Sequence, residues 1–171
     1  MSINHIRQSM EGVIKFYREH PEKAVSTDKA AVAVMQEGLL CRAEGANGAV
    51  LVSDMPAGVG GGGTAPTPGW FMRAALANCD ATLIAMRAAQ LGIILEALEV
   101  TVDSESDDRG LLGVVDDVPA GPLAMRIRVR ISARGVAPER LHEIVQWAEA
   151  HSPVGDALRR AIPCNTEIEL G

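Results

Sequence analysis

The chain has 171 residues, the length of one domain able to bury roughly 70% of its unfolded surface. Only 3% of the residues are aromatic, so the core must be built from Leu, Val, Ile, Ala and Met. A formal net charge of −6 argues against nucleic acid or an anionic membrane as partner.

The N-terminus carries no signal-peptide apolar run. The longest apolar stretch, Ala74 to Met86, is thirteen residues with Asp80 near its centre, too short and too polar to cross a bilayer. Cysteines at 41, 79 and 164 form neither a disulfide framework nor a C-x-x-C pair. The expected setting is therefore a reducing cytoplasm. Histidines at 5, 20, 142 and 151 lack metal-ligand spacing, and neither a metal nor a cofactor is expected.

In chain order, Ser2 to Glu19 predicts an amphipathic helix, with Ile6, Met10, Val13, Ile14 and Tyr17 at helical spacing and Pro21 beyond its end. It is expected to pack on the body or on a second subunit. Ala31 to Met35 predicts a short strand. Leu39 to Glu44 and Ala49 to Asp54 flank Asn47-Gly48, two residues that tolerate positive φ, and so predict a hairpin. Alternation puts Cys41 with Leu39 and Ala43 on one face as a core filler, and Arg42 on the other. The glycine run Val59 to Gly63 lacks the Lys-Ser/Thr pair of a phosphate loop and is expected to be a flexible loop before the next helix.

The chain is organised around Pro66 to Gly92. Thr67-Pro68 is a helix start, a capping oxygen followed by a residue that needs no N–H partner, and Gly92 supplies the left-handed residue that ends it. Arg73, Asp80 and Arg87 are spaced by seven and share one stripe; the other faces are small or apolar, as in a helix buried on most of its circumference. Cys79 sits inside it. A free cysteine in such a helix ordinarily behaves as a small hydrophobe.

Beyond the helix, Leu98 to Asp103, Leu111 to Val118 and Leu123 to Ser132 predict strands. In the last, Met125, Ile127, Val129 and Ile131 face inward, and Arg126, Arg128 and Arg130 form a solvated row opposite acids such as Glu99 and Asp103. Pro138 to Ala150 predicts a helix buried through Leu141, Ile144, Val145 and Ala148. Ser152 before Pro153 reads as an N-cap. A hydrolase built on Ser152 and His151 is disfavoured, because adjacent residues seldom aim at one another and no G-x-S-x-G is present. Cys164 to Leu170 alternates as a closing strand.

Gly60–Gly63, Pro66 and Pro68, then Ala74–Cys79 in a long Ala/Leu helix, Leu91–Ile93, the strand Leu98–Asp103 and Ser152–Leu158 follow one another in an order that resembles the OsmC/Ohr family of thiol-dependent hydroperoxide reductases. The likeness runs from about Leu39 to the C-terminus. It divides the chain into an N-terminal helical extension with a first strand (1–35) and an OsmC/Ohr-like domain (36–171). It implies an α+β fold in which antiparallel sheets pack on a long central helix. Two chains intertwine as a homodimer, with each active site at the subunit boundary.

In that family one cysteine in the central helix attacks the peroxide, and a second, in a C-P-V motif at the start of a later helix, resolves the sulfenic acid. Cys79 corresponds to the helix cysteine. Ser152 stands at the position of the second, and Gly69 at that of a Glu that holds an activating Arg, for which Arg42 is the candidate here. The resemblance implies a one-cysteine reductase of lipophilic organic hydroperoxides, with Cys79 regenerated by an external thiol in an oxidative-stress response. The alternative is a non-catalytic relative that binds a small apolar ligand or a partner. Asp80, if turned inward, would oppose a thiolate and favour the second.

Overall fold

The computed structural model describes residues 2–171, so Met1 of the expected extension lies outside the described residues. The fold is α+β. In chain order it runs α1 (Ile3–Glu19), β1 (Val32–Glu37), β2 (Leu40–Glu44), β3 (Val50–Ser53), α2 (Pro68–Gln90), β4 (Ala97–Glu105), α3 (Asp108–Leu111), β5 (Ala124–Ser132), α4 (Pro138–His151) and α5 (Pro153–Arg159). Two compact units are distinguishable: Gln8–Ala74, and Ala75–Gly171 together with the start of the chain through Arg7.

In the first unit β1, β2 and β3 form an antiparallel sheet in sequential order, with Met35 opposite Cys41 and Cys41 opposite Ser53. The β2–β3 connection turns at Asn47 (φ 61°) and Gly48 (φ 74°), the two residues the hairpin reading singled out. β1 is exposed along its whole length, and α1 buries no residue.

The glycine loop that follows β3 is fastened, contrary to the flexible loop expected from its composition. The Asp54 carboxylate, 2% exposed, accepts from the N–H groups of Met55 (2.7 Å), Gly62 (3.3 Å) and Thr64 (3.0 Å) and from the Thr64 hydroxyl (2.8 Å). These bonds, the Thr64 backbone N–H foremost, hold its pKa below the ordinary value of 3.8. A side chain at Gly61 would collide with the Met55 carbonyl, so the loop closes only around glycine.

In the second unit β4 and β5 pair antiparallel, Val100 opposite Val129. Their inner faces, through Leu98, Val100, Val129 and Ile131, pack on Ile84 and Ala88 of α2 and on Ile144 and Ala148 of α4. On the outer face the arginine row is paired as expected: Arg126 and Arg128 with Asp103, at 3.1 and 2.8 Å, and Arg130 with Glu99 at 3.6 Å.

Two predicted strands are absent. Leu111 to Val118 is not extended, because Asp107 caps the one-turn helix α3 and the chain then folds back, bringing the Val118 and Pro119 carbonyls against Gly110. Cys164 to Leu170 makes no ladder, and among the described residues no strand pairs with it; Ile168 and Leu170 are exposed. No helix of the described residues is long and apolar enough to cross a membrane.

Candidate functional site

Cys79 is placed by α2, whose ends form as the sequence implies. Thr67 Oγ1 accepts the Trp70 N–H at 3.2 Å. At the other end Gly92 (φ 71°) allows its own N–H to reach the Ala89 carbonyl (3.0 Å) and that of Ile93 to reach Ala88 (2.9 Å), a Schellman closure. Leu76, Asp80, Ile84, Ala88 and Ala89 are buried, and Cys79 is half-buried beside them.

Ser152 is brought to Cys79 by the break between α4 and α5. Its extended backbone (φ −73°, ψ 112°) stops α4 and begins α5 with Pro153 at the first helical position. The side chain is fully buried at 0% exposure. Its Oγ accepts the Gly155 N–H at 3.1 Å and donates to Cys79 Sγ at 3.3 Å. With an acceptor lone pair held by the Gly155 N–H, the hydroxyl proton is aimed at the sulfur. Chemically, an O–H donor at this place can hold the sulfur by a hydrogen bond and cannot itself form a disulfide. Of the two N–H groups an N-cap serine here could take, Val154 or Gly155, the structure shows that of Gly155, buried at the third position of α5.

His151 faces elsewhere. Its Nδ1 donates to the Trp147 carbonyl (2.7 Å), and its ring stacks on Trp147 with centroids 4.1 Å apart, while the Arg87 guanidinium lies 4.7 Å from the same ring centre. It does not activate Ser152, in accord with rejecting a hydrolase. Asp80, next to Cys79, is 2% exposed, and its Oδ1 has no hydrogen-bond partner among the described residues. A buried carboxylate oxygen without a partner is costly to keep.

Arg42 lies on β2 in the other compact unit, where its Nε donates to Glu44 Oε1 at 2.8 Å. Gly69 is the second residue of α2, and a Cβ there would sit 3.8 Å from Arg73 Nη1. Cys41 is half-buried in the three-stranded sheet and Cys164 is exposed. Among the described residues no group of three or more His, Cys, Asp or Glu side chains could hold a metal ion.

Residues 60–167 match a family profile described as OsmC-like protein. The chain belongs to the OsmC-like family. Solved structures agree on the fold. An OsmC-like protein from Mycoplasma pneumoniae superposes with a TM-score of 0.67 at 14% identity, covering 80% of this chain and 91% of that one. An OsmC-like protein of unknown function from Vibrio cholerae gives 0.64 at 11% identity, covering 77% and 94%. An organic hydroperoxide resistance protein OsmC from Legionella pneumophila gives 0.56 at 21% identity, covering 79% and 91%. A comparison with curated proteins gives no significant match.

Proposed function

We propose that this OsmC-like chain is a one-cysteine reductase of organic hydroperoxides. The Cys79 thiolate attacks the terminal peroxide oxygen: an S–O bond forms, the O–O bond breaks, and the alkoxide leaves and takes up a proton as the alcohol. An external thiol then attacks the sulfenic acid, forming a mixed disulfide and releasing water. A second thiol frees Cys79 and departs as the oxidised disulfide.

The observation that carries this reading is the 3.3 Å bond from the Ser152 hydroxyl to Cys79 Sγ. At the place where the family sets a second thiol stands a group that can hold the sulfur but not link to it. The family membership supports the substrate class, since several structural neighbours bear the name organic hydroperoxide resistance protein.

The proposed working form is a homodimer. In the three-stranded sheet Val32, Val34, Met35, Val50 and Leu51 are exposed; a second copy covering them would gain about 1–2 kcal/mol for each half-exposed side chain. The other partners are a small lipophilic hydroperoxide and an external thiol in a reducing compartment, with neither nucleic acid nor membrane. A second reading, binding of a small apolar ligand without turnover, is favoured by one observation, the buried, unpartnered Oδ1 of Asp80, the residue that follows Cys79 on α2.

Turnover of cumene hydroperoxide with excess dithiothreitol, compared between the wild type and Cys79→Ser, separates the two. Cys79-dependent alcohol production supports the reductase. Equal background rates in both proteins leave ligand binding as the function.

A further inference from the structure

The Ser152 hydroxyl shares its surroundings with a cation. A Cβ placed on Gly155 would meet Arg159 Nη1 at 3.0 Å, Ser152 Oγ at 3.1 Å and Ser152 Cβ at 3.2 Å. Guanidinium and hydroxyl therefore border the same point above one backbone position and are no more than about 6 Å apart. The Cys79 sulfur lies 3.3 Å beyond the hydroxyl, so at most about 9 Å separates it from Nη1. That is within one Debye length at moderate salt, about 10 Å.

The guanidinium is held in this position. Arg159 Nη2 donates to the Glu149 carbonyl at 2.8 Å, which ties the last residue of α5 to the last turn of α4. That acceptor is neutral. The nearest acid on its own helix, Asp156, is engaged by Arg160 at 2.6 Å, although Arg159 also contributes to keeping the Asp156 carboxyl below its ordinary range. Arg126 and Arg128, by contrast, are tied directly to the Asp103 carboxylate. The charge of Arg159 is thus less neutralised than theirs, and it is set against the working hydroxyl.

We propose that Arg159 is the positioning cation of the Cys79 site. It acts through Ser152, and Gly155 lacks a side chain so that both groups fit above it. The positive field of the guanidinium favours the Ser152 O–H dipole pointing away from it, toward Cys79. Arg42, the candidate from the sequence, is paired with Glu44 on its own strand; Arg159 supplies the role from within the unit that holds the thiol. This rests on the reductase reading only in taking the thiolate as the working form.

The test is the pH dependence of Cys79 alkylation by iodoacetamide in the full chain, followed on the Cys79 peptide by mass spectrometry. Arg159→Gln should move the midpoint of the rate profile to higher pH and slow alkylation at pH 7 about fivefold. Arg159→Lys should restore part of the rate. Gly155→Ala, which pushes a methyl group between Arg159 and Ser152, should reproduce the shift with the arginine still present. Added salt should narrow the gap between the wild type and Arg159→Gln.

Superposable wild-type and Arg159→Gln profiles would overturn the proposal, as would a lysine variant no better than glutamine. Should Arg159→Gln fail to fold, the Gly155→Ala profile decides in the same way. Alkylation needs no peroxide, so a shifted profile in a protein without turnover would refute the reductase and leave the role of Arg159 standing.

Discussion

Ser152→Cys tests the geometry of the site most fully. Ser152 Oγ is 3.3 Å from Cys79 Sγ, and the disulfide requires about 2.05 Å. The longer C–S bond closes part of that gap and rotation about χ1 the rest, with little demand on the backbone. The exchange gives up the capping bond from the Gly155 N–H, a loss of about 1 kcal/mol, so the reduced variant should fold. Once oxidised, the bridge joins positions 73 apart, and the loop-closure model assigns such a bridge about 4 kcal/mol relative to the reduced chain. For a protein of this length that is an increase in Tm of roughly 8–16 °C, with native-state strain drawing it toward the lower figure. The assay is peptide mapping after one equivalent of hydroperoxide, with melting curves before and after reduction. The expected result is a linked peptide between Cys79 and the introduced thiol, and a Tm that falls on reduction. A folded variant whose two thiols both stay free after peroxide would refute the placement of Ser152 against the Cys79 sulfur.

Gly69→Glu puts a carboxylate in the first turn of α2 beside Arg73 and replaces a helical glycine; a gain of about 1 kcal/mol, read as a Tm higher by about 3 °C, is expected. Asp54 has a lowered folded pKa, so its contribution is present above the ordinary value of 3.8 and is lost as pH falls through the folded value. Asp54→Asn should therefore be less stable than the wild type at neutral pH, and urea titrations should show the gap closing below pH 3.8. Light scattering at micromolar concentration should give twice the 18.1 kDa chain mass; a folded particle of 18.1 kDa would exclude the homodimer.

Features fixed by local chemistry were legible in the sequence. Thr67-Pro68 and Gly92 bound α2 because caps and left-handed residues act within one turn, and Asn47-Gly48 turns a hairpin for the same reason. The Arg126, Arg128 and Arg130 row was readable against Glu99 and Asp103 because both strands alternate strictly. Strands that need a distant partner were not. Cys164 to Leu170 alternates as well as β5 does, but alternation marks which side chains share a face, not whether a neighbouring strand exists. Composition also misled at the glycine loop, since its restraint comes from Asp54, up to ten residues earlier in the chain. For the site, the family resemblance put Cys79 and Ser152 in corresponding places, and the structure joins them. The approach of Arg159 to Gly155 depends on what surrounds a single Cα, which no spacing rule reports.

The central claim is that Cys79 is the reacting group and that no thiol of its own chain resolves it. The most direct measurement is mass spectrometry of the wild-type protein after one equivalent of an organic hydroperoxide, with dimedone present to trap sulfenic acid. The account predicts a dimedone adduct at Cys79 ahead of any change at Cys41 or Cys164, and no intramolecular disulfide. An unmodified Cys79, or a Cys79–Cys164 linked peptide in good yield, would contradict it.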